Sequence, residues 1–274
     1  MPSTTVADVT AAVERLWPSS GAEAWDAVGL IAGDPDAPVS SILLAVDAVL
    51  DTVDEALEQS ASMLLVHHPL LLRGVTTVAS DRYKGAALSR LIRGNCALLA
   101  AHTNADVVET GTSATFAAKL GLLDVRPLVP AANPARGIGR VGTLPAPTTL
   151  GTLARALGDI LPNTASGIRV AGDFEQPVST VALCGGAGDA YLSSPEVLAA
   201  DVYITSDLRH HPASEARENA RASRGPALID VSHWASEWLW LESAAAELRE
   251  ALPEVTVTVS ELRTDPWDFT IIQK

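Results

Sequence analysis

The stretch SILLAVDAVLDTVDEALEQSASMLLVHHP (41–69) decides the fold class. Two short apolar runs, SILLAVDA (41–48) and MLLVHHP (63–69), flank a segment (50–60) with helical spacing of apolar residues. Short apolar runs bounded by polar residues suit strands, and longer 3.6-periodic segments suit helices. The alternation recurs along the chain. Strand-like runs follow at CALLAAHT (96–103), VSTVALCGG (178–186), DVYITSD (201–207), PALIDVS (226–232) and VTVTVSEL (255–262). Helical patterns cover 5–16, 82–94, 112–120, 149–161, 212–222 and 234–251. Strands alternating with helices predict an α/β architecture. Residues 126–148 are rich in Pro, Gly and Arg and read as a connector. The reading therefore gives a first α/β half at 1–125 and a second at 149–274. LLVHHPL (64–70) and YITSDLRHHP (203–212) echo one another across the two halves.

The chain has 274 residues, of which 47% are hydrophobic and 4% aromatic, so aliphatic side chains must fill the core. The net charge of −14 repels nucleic-acid backbones and anionic membranes. A local cationic group, Arg209, Arg217, Arg221 and Arg224, reads as a solvated face beside Glu215 and Glu218, or as a docking point for a substrate phosphate. Cys96 and Cys184 sit in apolar runs and read as buried thiols in a reducing compartment. No signal peptide and no apolar run long enough for a membrane span is seen, which predicts a cytoplasmic protein.

All six histidines fall in short clusters with carboxylates in or beside them: His67-His68; His102 with Asp106; and Asp207 with His210 and His211, followed by His233 with Glu237. Each cluster follows a predicted strand, the edge at which open α/β sheets bind ligands. Imidazole with carboxylate suits a first-row transition metal, and the supply exceeds what one tetrahedral ion needs, which points to two ions. Adjacent histidines serve one site only where the strand has ended, and Pro69 marks such a bend. The same residues also suit one core and one exposed histidine. Asp106 suits a metal-bridging carboxylate or the N-cap of the next helix. His233 and Glu237 share a helix face if a helix begins near His233. Asp207 and His210 are candidates for acid/base work, and His102 for a ligand or a proton carrier. Trp234, Trp238 and Trp240 read as packing residues. The loop Cys184–Gly188 reads as a tight turn more than as a phosphate cradle, since it lacks both the Walker lysine and the Rossmann spacing.

Taken together, EAWDAVGLIAG (23–33), LLVHHPLLL (64–72), AHTNAD (101–106), ALCGGAGDA (182–190), YITSDLRHH (203–211) and IDVSHWASE (229–237) resemble the NIF-three-like family, often named GTP cyclohydrolase I type 2. The resemblance implies two intertwined α/β repeats forming layered α/β/α halves around a central cleft with a dinuclear metal site. Its ligands would be His67, His68, Asp106, His233 and Glu237, with His102 close by, and the last helix would return to the shared site. It also implies a ring-shaped homohexamer. The connector is too short to hold the inserted domain of long members. Three positions depart from the pattern: Ala27 follows Trp25-Asp26, Ser206 precedes Asp207, and Ser232 precedes His233.

These features lead to a metal-dependent hydrolase on a small nucleotide-like substrate, with GTP ring opening and formate release as the implied reaction. Two divalent ions, drawn from Zn, Fe, Mn or Ni, are expected. No further cofactor and no membrane or nucleic-acid partner is expected. The competing reading is a non-catalytic metal-binding or interaction protein.

Overall fold

The computed structural model describes residues 3–223 and 225–272, so Arg224 of the expected cationic group lies outside the described residues. The chain forms two units. The first takes the residues up to Ala105 together with Leu241–Thr264; the second takes Asp106–Trp240 and the segment from Asp265.

In chain order the first unit holds α1 (Val6–Leu16), β1 (Gly29–Ala32), β2 (Ser41–Ala45), α2 (Leu50–Glu58), β3 (Met63–Val66), α3 (Tyr83–Arg93), β4 (Ala97–Ala100) and the short α4 (Thr103–Asp106), at whose last residue the second unit begins. A capping box starts α1: Asp8 N–H donates to Thr5 Oγ1 (3.2 Å) and Thr5 N–H to Asp8 Oδ2 (2.9 Å). Strands β2, β3 and β4 run parallel, with Leu43 opposite Leu64 and Leu64 opposite Leu98. Almost all their residues are buried on both faces, which is why they read as unbroken apolar runs. Val53 and Ala56 of α2 and Leu88 and Leu91 of α3 pack with Leu43, Leu64 and Leu98. Each buried leucine contributes roughly 1.5–3 kcal/mol over its exposed state. The strand Thr256–Val259 adds parallel to β2, and β1 closes the other edge antiparallel to β4. The parallel order puts the carboxyl ends of β2, β3 and β4 on one edge, and Asp47, His67 and His102 lie one or two residues beyond them.

The second unit continues with α5 (Thr112–Lys119), β5 (Leu123–Arg126), β6 (Val129–Pro130), β7 (Gly137–Ile138), β8 (Arg140–Thr149), α6 (Leu150–Ile160), β9 (Arg169–Ala171), β10 (Pro177–Ala187), α7 (Pro195–Ala199), β11 (Val202–Ser206), α8 (His210–Ala222), β12 (Ala227–Val231) and α9 (His233–Ala251); Thr256–Val259 is β13. Its six-stranded sheet has the order β5-β8-β10-β11-β12-β9, with β10, β11 and β12 parallel and the others antiparallel. Val141, Ala182, Cys184, Tyr203 and Leu228 share its core. The fold is therefore mixed α/β.

Residues 126–148, read as a connector, carry β6, β7 and most of β8, and the division between units falls at Ala105/Asp106 instead of near 125. The misreading has a local cause. Thr143 pairs with Thr180 and Thr148 with Val178, so residues 144–147 stand opposite Ser179 alone. Pro145 and Pro147 fall in that irregularity, where no ladder donor is needed. Among the described residues no helix is long and apolar enough to cross a membrane.

Candidate metal centre

In the first unit three imidazoles meet. His67 donates from Nδ1 to the Ala101 carbonyl (2.9 Å), His68 from Nδ1 to Asp47 Oδ1 (2.8 Å), and His102 from Nδ1 to Asp26 Oδ1 (2.9 Å). Carbonyl and carboxylate oxygens only accept, so each ring carries a proton on Nδ1, and in its neutral form Nε2 is the nitrogen that bears the lone pair. Ring centroids lie 5.0 Å (His67–His68), 5.1 Å (His67–His102) and 5.4 Å (His68–His102) apart. One ligand atom from each of the three lies within 4.8 Å of the others. Adjacent histidines can converge because β3 ends at Val66 and Pro69 follows directly.

The carboxylates behind these rings are themselves held. Asp47 Oδ2 accepts from Thr264 Oγ1 (2.5 Å). Asp26 accepts from the backbone N–H groups of Ala27 (2.7 Å) and Thr103 (3.0 Å) and from the Thr103 hydroxyl. Burial opposes ionisation of Asp26, but the Thr103 and His102 donors outweigh it and hold the carboxyl below its usual range. Neither Asp26 nor Asp47 is in the sequence-derived site. Asp47 stands two residues beyond β2, the same place relative to its strand as the histidines, and that periodic placement is the signal that could have found it.

In the second unit His233 begins α9, donating from Nδ1 to Asp207 Oδ2 (2.7 Å), with Nε2 3.0 Å from Glu237 Oε1. The four-residue spacing on one helix face brings that pair together. Burial depresses the imidazole pKa, but the Glu237 and Asp207 carboxylates reverse this and raise it well above the ordinary value. Asp207 follows β11 directly in a left-handed conformation (φ 58°), which turns its carboxylate back onto His233. Ser232 caps the helix: its hydroxyl accepts from Ala235 N–H (3.2 Å) and donates to Asp265 (2.5 Å). A serine in this position thus gives α9 a side-chain cap.

Asp106 ends α4 and accepts from Thr112 Oγ1 (2.5 Å). The cap of the following helix is Gly111, so the N-cap alternative for Asp106 is not realised. Burial and then the Asp106 and Glu237 carboxylates push the Cys184 thiol up to about 12. Arg140 is buried and donates to the carbonyls of Gly137, Gly139 and Val108 (2.7, 2.7 and 2.6 Å), which fixes the chain just after Asp106.

The glycines at 185–188 serve close approach. Gly186 has φ +68°, and an added Cβ would overlap Glu237 Oε1 and lie 3.2 Å from His233 Nε2. A Cβ on Gly188 would collide with the Tyr203 and Thr205 hydroxyls. The segment through Ala187 belongs to β10, with its register against β11 broken between Leu183 and Ala187, so it is a strand irregularity and not a separate turn. His210 and His211 lie exposed at the start of α8, packed edge-on against each other (5.2 Å). Of the cationic group, Arg209 pairs with Asp189 (2.6 Å) and Arg221 with Glu218 (3.0 Å). Trp234 and Trp240 are buried, in keeping with a packing role.

The model of the family described as Duf34/NIF3 (NGG1p interacting factor 3) matches residues 4–266. The chain belongs to this family. A Streptomyces coelicolor relative named "GTP cyclohydrolase 1 type 2 homolog" is 48% identical over 269 residues, covering 96% of this chain and 93% of its own. A Mycobacterium tuberculosis relative of the same name is 36% identical over 377 aligned positions, covering 97% of each chain. Those 377 positions exceed the 274 residues here, so the mycobacterial family member carries material this one lacks. Among solved structures, the Staphylococcus aureus hypothetical protein SA1388 superposes with a TM-score of 0.89 at 26% identity, covering 98% of this chain and 100% of that one. The mixed α/β fold is thus that of a Duf34/NIF3 member, and the chain carries histidine and carboxylate groups that could hold a metal.

Proposed function

We propose that the two donor groups are the halves of one dinuclear centre, with His67, His68, Asp106, His233 and Glu237 as ligands. The observation that supports this is the common tether of His67, His68 and His233, each donating through Nδ1 to an oxygen acceptor, which turns Nε2 into the nitrogen a metal would take. The donor set of imidazole and carboxylate fits Zn, Fe, Mn or Ni. Divalent ions bound there would supply Lewis acidity and lower the pKa of bound water towards about 7.

The activity that follows is hydrolysis of a small nucleotide-like substrate, with opening of the guanine imidazole ring of GTP and release of formate as the specific reaction. The names of the relatives support that choice. The chain's own residues would act around the reacting atoms. His102, with Asp26 accepting its Nδ1 hydrogen bond, would take and return a proton at Nε2, because the carboxylate stabilises the imidazolium. Asp207 orients His233. His210, exposed on α8, takes a proton role only for a substrate that extends over that helix start. A homohexamer and a cytoplasmic location complete the proposal. The test is formate analysis after incubating metal-loaded protein with GTP, with His68→Ala as blank. Metal-dependent formate is expected. Its absence from fully loaded protein favours the second reading, a metal-binding interaction protein, to which the family's description as an interacting factor also points.

Asp47 supplies a further expectation. Asp47→Ala removes the acceptor that holds His68 and should weaken metal affinity roughly 10- to 100-fold, whereas Asp47→Asn, which keeps an acceptor oxygen, should lose less. Competition with a chromogenic chelator measures both.

A further inference from the structure

We propose that Trp25 is a stacking wall for a planar heteroaromatic group of the substrate, a residue that sets specificity instead of serving the metals. The inference rests on the metal-centre reading above and names the class of substrate that centre receives. Trp25 is 60% exposed although it is the largest type of apolar side chain. A ring exposed to that extent cannot have both faces covered. Its position is nevertheless fixed. Asp26, the next residue, is locked by His102, Thr103 and Ala27; Asp26 N–H donates to the Glu23 carbonyl (3.0 Å), and Glu23 N–H donates to Thr103 Oγ1 (2.9 Å). The indole is therefore held on a rigid turn, not on a wandering loop.

Its neighbour gives the direction of the argument. The Trp25 and His102 rings lie 5.8 Å apart at 75° to one another, and His102 in turn is 5.1 Å from His67 and 5.4 Å from His68. Because the planes are inclined at 75°, the two rings do not stack in parallel, and the exposure of the indole leaves surface for a flat ring beside the imidazole cluster, where its polar atoms can reach the reacting centre. Stacking of this kind is tolerant of which base is bound, and loss of one platform typically costs about tenfold in affinity.

The test uses full-length, metal-loaded protein with two probes, guanosine 5′-monophosphate and ribose 5-phosphate, and compares wild type with Trp25→Phe and Trp25→Leu. Metal content and oligomeric state are measured on each. The expected result is that Trp25→Leu binds guanosine 5′-monophosphate about tenfold more weakly, that Trp25→Phe stays close to wild type, and that ribose 5-phosphate binding, metal content and oligomeric state do not change. Equal nucleotide binding by wild type and Trp25→Leu overturns the proposal. So does loss of metal or a changed oligomeric state in Trp25→Leu, because the indole would then serve the ions or a second copy of the chain. Wild type that holds its metals yet binds ribose 5-phosphate as well as the nucleotide overturns the stacking wall alone. Wild type without metals overturns the metal-centre reading instead.

Discussion

Glu237→Ala and His67→Ala are each expected to lower the metal content of purified protein by at least one ion per chain. His67 is fully buried, and its ring is fixed by the Ala101 carbonyl. Glu237 is buried on the same helix face as His233, one turn away. Removing it takes away the carboxylate that lies 3.0 Å from His233 Nε2. Elemental analysis after dialysis against trace metal reads the result directly. Unchanged metal content in both variants contradicts the ligand assignment.

The second large effect is expected at Gly186. Gly186→Ala forces a Cβ into the space of Glu237 Oε1, on backbone at φ +68° that costs an L-residue about 1–2 kcal/mol. Gly186 N–H also donates to Ser236 Oγ (2.9 Å) and its carbonyl accepts from Thr205 Oγ1 (3.1 Å), so the strand cannot simply retreat. The variant should melt several degrees lower, and it should also hold less metal. Gly121→Ala is the informative control: it shares a positive φ (67°) but has open space around it. It should lose stability and keep its metal. Equal metal content in the two variants would separate Gly186 from the site.

Much of this was legible from residues. The apolar runs SILLA, MLLV and ALLA became β2, β3 and β4 because parallel strands covered on both faces show as uninterrupted aliphatic sequence. The ligand candidates were legible because imidazoles and carboxylates cluster past strand ends. What escaped were positions whose meaning is set by a distant partner. Asp47 looks like the polar end of a strand until His68, 21 residues on, is seen donating to it. Asp26 looks like a turn residue until His102 and Thr103 close around it. Strand β8 escaped for a different reason. Pro145 and Pro147 argue against a strand locally, and only the pairing with β10 shows that they occupy a break in the ladder. His210 shows the converse: a motif that resembles the His67-His68 turn in letters begins an exposed helix instead.

The central claim is that ligands from both groups hold one pair of ions. Anomalous diffraction from crystals of protein loaded with a single divalent metal tests it most directly. Two anomalous peaks per chain are predicted, bounded by the Nε2 atoms of His67, His68 and His233 and by the carboxylates of Asp106 and Glu237. A lone peak served by one group only, or peaks held by other residues, would contradict the account.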